Sequence, residues 1–233
     1  MIDFHSHILP GMDDGSRSSE ESLRMLTALK EQGINTVALT SHFYAKHEDP
    51  HRFLERRAHC FSHLQKQMTE DLPQVRLGAE VLYYNGVSHM SNLSQLCLEG
   101  TRLLLLEMPF SRWSDYTVSE VLDLHNSGEV VVMLAHIERY LAWQKEKVWD
   151  QLLQNGVLMQ SNAEFFFTPM VRRKAVHMLE QNRIHCLGTD CHNMTTRGVH
   201  MDSALEVIEK HLGKESAERL KQQSEMLLRE CSL

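Results

Sequence analysis

The sequence predicts an α/β protein in which seven parallel strands, joined by crossover helices, close or nearly close into a barrel. Short apolar runs alternate with longer amphipathic stretches along the 233 residues, the pattern of repeated strand–helix units. Two of the runs, LLLLE at 103–107 and VVVMLAH at 130–136, are apolar at nearly every position, as strands covered on both faces are. No glycine-rich phosphate loop follows the first strand, which counts against the alternative, an open doubly wound sheet.

Met1–His7 reads as the first strand. Ser18–Gln32 reads as a helix: Ser18 and Glu21 form a capping-box pattern, Leu23, Leu26, Leu29 and Lys30 recur at helical spacing, and Gly33 stops it. Asn35–Ser41 is a second strand. Pro50–Thr69 is a polar helix with Phe53, Leu54, Phe61 and Leu64 on one side. Val75–Glu80, Leu103–Glu107, Val130–Ala135, Val157–Asn162 and Ile184–Thr189 complete the seven strands. Helical stretches are expected at 88–97, 116–127, 143–154 and 167–181, and the tail, 202–230, as two helices broken near Gly213. With no repeat, low-complexity tract or Pro/Gly-rich linker, residues 1–233 are expected to form one domain.

The bulk properties exclude several classes. A net charge of −7 is the wrong sign for a nucleic-acid binder. No apolar run approaches the roughly 20 residues needed to cross a bilayer. The first residues have neither a basic segment nor an apolar core, so no secretory signal is expected. Five cysteines, odd in number and without a CxxC pair, fit free thiols in a reducing cytoplasm. Thirteen methionines read as core filler. Fifteen histidines are an excess, and histidine is the commonest metal ligand.

What ends each strand carries the chemistry. The first ends in His5 and His7, which at i and i+2 share a face. The second ends in His42, the third in Glu80, the fourth in Glu107 and the fifth in His136. The seventh runs into Asp190 and His192, and Asp14 lies in the loop after the first. Barrel enzymes place their chemistry at the C-terminal ends of the strands. Any one of these residues alone reads as a cap or a solvated loop residue, but nine at the same end of six strands read as a metal centre. The four carboxylates carry −4, so three divalent cations would leave a charge of about +2, a receptor for a phosphate dianion. Ions about 3.5–4 Å apart clamp a phosphoryl group and activate water. Mixed N/O ligands without thiolate suit Zn, Mn or Fe. The other ten histidines fall mainly in helices and loops and read as surface or structural, with His47 and His51 near enough to the rim to touch substrate.

One pattern competes. Cys191 and Arg197 fit C-x5-R, the minimal signature of thiol-based tyrosine phosphatases. The five intervening residues contain no glycine, and neighbouring carboxylates raise a thiol pKa rather than lower it. Cys191 is therefore not expected to be a nucleophile.

HSHILPGMDDG at 5–15, TSH at 40–42, GAEVLYY at 78–84, LLLLEM at 103–108, AHIERY at 135–140 and GTDCHN at 188–193 resemble the PHP phosphoesterase superfamily. More closely, they resemble its bacterial metal-dependent protein-tyrosine phosphatase branch, which serves capsule and exopolysaccharide loci of Gram-positive bacteria. The resemblance runs from Met1 to about Arg197. It implies a distorted (β/α)7 TIM-like barrel of the PHP type and three metal ions, manganese first, with zinc or iron as alternatives. It assigns His5, His7, Glu80 and Asp190 to the first ion, and Asp14, His42 and His192 to the second. Glu80, Glu107 and His136 go to the third, with Glu80 bridging. Arg139 and Arg197 match the arginines that grip phosphate, for which a planar guanidinium is suited. The implied partner is a phosphotyrosine protein, the tail of an autophosphorylating bacterial tyrosine kinase. The chain departs from the pattern at Ser16, where a proline often stands, and at SHFYAKHEDP (41–50), which replaces a more basic segment. A small-molecule phosphatase of the histidinol-phosphate type and a non-catalytic metal-binding module are the competing readings.

Overall fold

The computed structural model describes residues 1–233. The chain opens with β1 (Ile2–Ser6), buried at every position. Helix α1 (Ser19–Glu31) starts where the Ser18 hydroxyl accepts the Glu21 amide and stops at Gly33, whose φ of +79° only glycine adopts freely. Then come β2 (Thr36–Leu39), β3 (His42–Phe43) and α2 (Pro50–Gln65), capped by the Asp49 carboxylate with proline in its first turn. β4 (Gln74–Leu77), β5 (Glu80–Leu82), β6 (Leu103–Glu107), α3 (Asp115–Asn126) and β7 (Val131–Leu134) follow. The rest is α4 (Glu146–Gln154), β8 (Leu158–Asn162), α5 (Glu164–Phe167), α6 (Arg172–Glu180), β9 (Cys186–Gly188), α7 (Met201–Leu212) and α8 (Lys214–Glu230).

Every strand pair is parallel, in two sheets of order β1-β2-β4 and β3-β5-β6-β7-β8-β9. β2 and β3 run in line across Thr40-Ser41, and β4 and β5 across Gly78-Ala79. At these breaks the Gly78 amide donates to the Leu39 carbonyl, and the Glu80 amide to Thr40 and Ser41. On the other side Ser6 bridges Cys191 in parallel, and the Asp190 amide donates to the His5 carbonyl at 2.7 Å. Asp3 reinforces this seam by accepting the Thr189 amide and hydroxyl.

One large apolar core lies between strands and helices. A smaller one joins Phe4, Ala38, Leu105, Met133 and Cys186 to Leu227 of α8. The segment after α8 closes the N-terminal end of the strands, where the Arg102 amide donates to the Cys231 carbonyl and Thr101 bridges Ser232. The C-terminal ends stay free for side chains that meet.

Four expectations need correction. The third strand, read as Val75–Glu80, is two strands, because the ladder is interrupted at Gly78-Ala79, beyond which the Glu80 amide is shared between the Thr40 and Ser41 carbonyls. The stretch 88–97 is two short 3-10 turns, Val87–His89 and Leu93–Leu96, with Asn92 at positive φ between them; its serines and asparagine favour local turns over helix. The stretch 167–181 divides into α5 and α6 around Pro169, which lacks the amide a continuous helix needs. The helix from Pro50 ends at Gln65 rather than Thr69.

Candidate metal centre

His5 and His7 leave β1 beside Glu80 at the start of β5. The Nε2 atoms of the two imidazoles stand 3.1 Å apart, and each is 3.2–3.3 Å from Glu80 Oε2. Asp190 Oδ1 lies 3.5–3.6 Å from both nitrogens. His42 Nδ1 is 2.9 Å from Glu80 Oε2. His136 Nε2 is 2.8 Å from Glu80 Oε1 and 3.6 Å from Glu107 Oε1. Asp14 Oδ1, on an exposed side chain, lies 3.5 Å from His42 Nε2 and 3.3 Å from His192 Nε2. All nine expected side chains thus stand in one cluster. It contains three potential cation sites: His7 with Asp14, His42 and His192; His5 with His7 and Asp190; and His42 with Glu80 and Glu107. His7 contributes to two of these, and His136 approaches Glu80 and Glu107 from the other side.

The tautomers show what this cluster lacks. Gln160 Oε1 accepts the His136 amide and faces His5 Nδ1 at 3.3 Å, so the His5 proton sits on Nδ1. His7 Nδ1 donates to Asp13 Oδ2, and His192 Nδ1 to the Asp190 carbonyl. A neutral imidazole at each of these three positions therefore turns its Nε2 lone pair into the cluster. Glu80 Oε2, His42 Nδ1 and His192 Nε2 are buried without a hydrogen-bond partner, a costly arrangement unless a cation or protons sit among them. Donor atoms around a first-row metal at roughly 2.1 Å are separated by about 3.0–3.4 Å, close to the spacings here. The donor set fits divalent cations.

Burial opposes protonation of His7, but Asp13 and Glu80 outweigh it and raise the imidazole to about 10; His5 is likewise raised against burial by Glu80 and Asp190, so the cluster draws positive charge into itself. Burial, with Glu80 adding to it, pushes the Glu107 carboxyl up to about 7. Burial and then His7 bring His192 down to about 4. Burial also opposes ionisation of Asp190, but His5, His7 and Arg139 outweigh it and hold the carboxyl below the usual carboxylate range. Arg139 Nη2 donates to Asp190 Oδ2, and Arg197 Nη2 to Oδ1 at 2.8 Å. Both guanidiniums are a third or more exposed, and they line a small cleft with Asn162 and Asp190.

The backbone at the ligands is strained. His136 has φ +33° and Asp190 φ +53°, conformations that non-glycine residues occupy mainly where the surroundings impose them. Glycines make room for the ligands: a Cβ on Gly188 would stand 2.4 Å from His5 Cβ, and one on Gly15 2.0 Å from the His7 carbonyl oxygen.

Sequence reasoning missed the residues that orient the ligands: Asp13 on His7, Gln160 on His5, Tyr140 Oη at 3.0 Å from His136 Nδ1, and Asn162 Nδ2 at 2.9 Å from Asp190. Asp13, beside Asp14 in the same turn, was the one with a signal, since ligating histidines pair their second nitrogen with a carboxylate or carbonyl. Among the remaining histidines, His125 and His185 accept the backbone amides of Val132 and Met159. Cys191 is fully buried, and burial, with Asp3 adding to it, drives its thiol well above the ordinary range. The amides of Thr195, Thr196 and Arg197 are taken by the Asn193 side chain, so this loop offers no phosphate cradle.

A parallel α/β fold with a cluster of imidazoles and carboxylates at the C-terminal strand ends defines a candidate multinuclear metal protein. The chain belongs to the family described as "Capsular polysaccharide synthesis, CpsB/CapC", whose model matches residues 1–229. It is 32% identical to the tyrosine-protein phosphatase YwqE of Bacillus subtilis over 98% of this chain and 92% of that protein. It is 30% identical to the tyrosine-protein phosphatase CpsB of Streptococcus agalactiae over 94% of each. A solved structure, from those of YwqE from B. subtilis and CpsB from Streptococcus pneumoniae, "unique metal-dependent tyrosine phosphatases", matches with TM-score 0.84. Identity there is 30%, over 100% of this chain and 96% of the other.

Proposed function

We propose that this protein is a metal-dependent protein-tyrosine phosphatase. One observation carries the reading: the Nε2 atoms of three imidazoles and an unpartnered Glu80 oxygen converge in a chain whose relatives are tyrosine-protein phosphatases. The ligands would be His5, His7, Asp14, His42, Glu80, Glu107, His136, Asp190 and His192, holding three divalent ions, manganese first. Bound there, the ions would supply Lewis acidity to the phosphoryl oxygens and activate water.

The chain's own residues bind and orient. Arg139 and Arg197, held on Asp190 and exposed toward the cleft, are placed to exchange part of that contact for the equatorial oxygens of phosphate, where charge must be offset. Asp13, Gln160 and the Asp190 carbonyl keep the imidazole protons on Nδ1 and the lone pairs inward. The phenolate leaving group, with a conjugate acid near pKa 10, needs little protonation to depart.

Several finer points belong to this reading. Counting β2 with β3 and β4 with β5 as one strand each gives a distorted (β/α)7 barrel of the PHP type, with residues 1–233 as its single domain. The substrate is a phosphotyrosine protein, the tail of a bacterial tyrosine kinase in capsule or exopolysaccharide synthesis, and the compartment is the cytoplasm. Family membership supports the pathway, and the five free thiols fit the compartment. No helix is long and apolar enough to cross a membrane.

The test is phosphate release from a phosphotyrosine peptide and from histidinol phosphate, by chelator-stripped protein with and without Mn²⁺. Restored turnover favouring the peptide is expected. Preference for histidinol phosphate would replace the substrate assignment, and metal-independent turnover would overturn the metal mechanism.

A further inference from the structure

Beside the metal cluster lies an open groove of about 600 Å³ that the phosphoryl chemistry does not use. One wall is the segment after β3, with Tyr44, Lys46 and His47. The other is the segment leaving β5, with Tyr83 and Tyr84, and Pro109 closes the inner end. The groove is continuous with the candidate metal centre. The Tyr44 ring stacks on His42 at 5.2 Å and 21°, Tyr83 donates its amide to the Glu107 carbonyl, and Pro109 lies two residues beyond Glu107.

Both walls are built in advance. On the first, Arg56 grips Glu48 through two hydrogen bonds and donates a third to the Met12 carbonyl, while the His47 amide closes a turn on Tyr44. On the second, the buried Glu120 carboxylate accepts the Tyr83 hydroxyl, the Gly86 amide and the Ser88 hydroxyl. A preformed aromatic-lined groove of this volume is the usual form of a ligand site, and its fixed walls spare the ordering cost of binding.

Its charge is also distinctive. Lys46 is its one formal cation and no carboxylate lines it, on a chain of net charge −7. We infer that this groove binds the substrate polypeptide beside the phosphotyrosine, and that Lys46 selects chains with acidic residues there. This rests on the phosphatase reading above and adds the peptide chemistry that the same site prefers. The half-buried Tyr44 and Tyr84 offer flat surfaces to the chain, and the exposed Lys46 faces its carboxylates.

Two labelled phosphotyrosine peptides of equal length decide it, one flanked by Asp and Glu, the other by Lys and Arg. The ratio of their kcat/KM values is measured on one preparation of the Mn²⁺-loaded protein, so losses of folded or metal-loaded protein cancel. The wild type is expected to favour the acidic peptide. Lys46→Glu, a charge reversal at an exposed position, shifts each peptide about tenfold in opposite directions, the effect of changing two unit charges at about 6 Å in water, and is expected to lower the ratio about 100-fold at low salt. The change should fall mainly on KM and shrink at high salt. A wild-type ratio near one, or a ratio that Lys46→Glu leaves in place, overturns the inference. If neither peptide is turned over, the phosphatase reading fails instead. Fluorescence anisotropy of the two peptides then decides the groove: tighter binding of the acidic one, lost in Lys46→Glu, supports it, and equal binding overturns it.

Discussion

Replacing Gly188 by alanine tests whether the seam between β1 and β9 positions the proposed metal ligands. The new methyl carbon would stand 2.4 Å from His5 Cβ, 2.8 Å from Gln160 Nε2 and 2.9 Å from the His5 amide nitrogen. Carbon atoms pack at about 3.5 Å, so the strands must part by about 1 Å at His5. Two of these contacts are backbone or Cβ, which cannot rotate away, and the third is the amide whose partner oxygen holds the His5 tautomer. Overpacking of this kind costs about 1–3 kcal/mol of stability. A misplacement of about 1 Å at a catalytic constellation lowers the rate by about 10²-fold, or about 2.7 kcal/mol in the barrier. The assay is kcat/KM on a phosphotyrosine peptide with saturating Mn²⁺, with Mn²⁺ affinity measured calorimetrically on the stripped protein. Gly128→Ala is the control. Unlike Gly188 it has a positive φ, but nothing lies within 4 Å of its added carbon, so it should lose about 1 kcal/mol of stability from backbone strain alone and keep full turnover. If Gly188→Ala kept kcat/KM and Mn²⁺ affinity within about threefold of wild type, the argument that this close approach sets the site would be wrong.

Other perturbations have equally definite outcomes. Burial pushes Asp3 up to about 6, so the folded state holds its proton more tightly than the unfolded state does. The stabilisation is complete below about pH 4 and is lost as pH rises through 6. Asp3→Asn should therefore gain about 3 kcal/mol on wild type between pH 4 and pH 7, read from urea unfolding at fixed metal concentration; a pH-independent difference would contradict the shift. Asp13→Ala removes the partner of His7 Nδ1 and of the His42 amide and should weaken metal binding about 10–100-fold, measured by chelator competition. Cys191→Ser should keep turnover within about threefold while losing about 1–3 kcal/mol of stability for burying a hydroxyl, and a large loss of turnover in folded, metal-loaded protein would restore the thiol as nucleophile. Stripping the metal should lower stability by about 4 kcal/mol at a free concentration a thousandfold above Kd, seen as a drop in Tm.

The sequence made the site more legible than the fold around it. His5, His7, His42, Glu80, Glu107, His136, Asp190 and His192 each lie at a strand end or within a few residues of one, and parallel strands bring such positions together whatever the exact register. Strand edges were harder. β3 has two residues, too few for any alternation, and the break at Gly78-Ala79 falls where the Glu80 amide is shared between the Thr40 and Ser41 carbonyls, which are remote in sequence. The turns at 87–96 answer to Glu120 on α3, which no local pattern reveals. The orienting groups were hidden for the same reason. Gln160 and Tyr140 look like ordinary strand and helix residues until the fold sets them against His5 and His136. Asp13 and Asp14 are chemically identical neighbours, and only geometry sends one to a histidine proton and leaves the other facing the cluster.

The seam that joins the first strand to the last also orders events in time. Asp3 and Thr189 meet across 186 residues of chain, and His5 and His7 share their cluster with Asp190 and His192 across a similar span. At 5–20 residues per second of synthesis, the two halves of the cluster emerge about 10–40 s apart. During that interval the ribosome carries half of the cluster, with the first imidazoles but without Asp190 and His192. Long-range pairing of this kind forms late in folding, so a complete centre exists only in chains whose β9 has already docked. Full metal loading is thereby a record of finished folding, and a nascent or truncated chain lacks the means to hold the whole set.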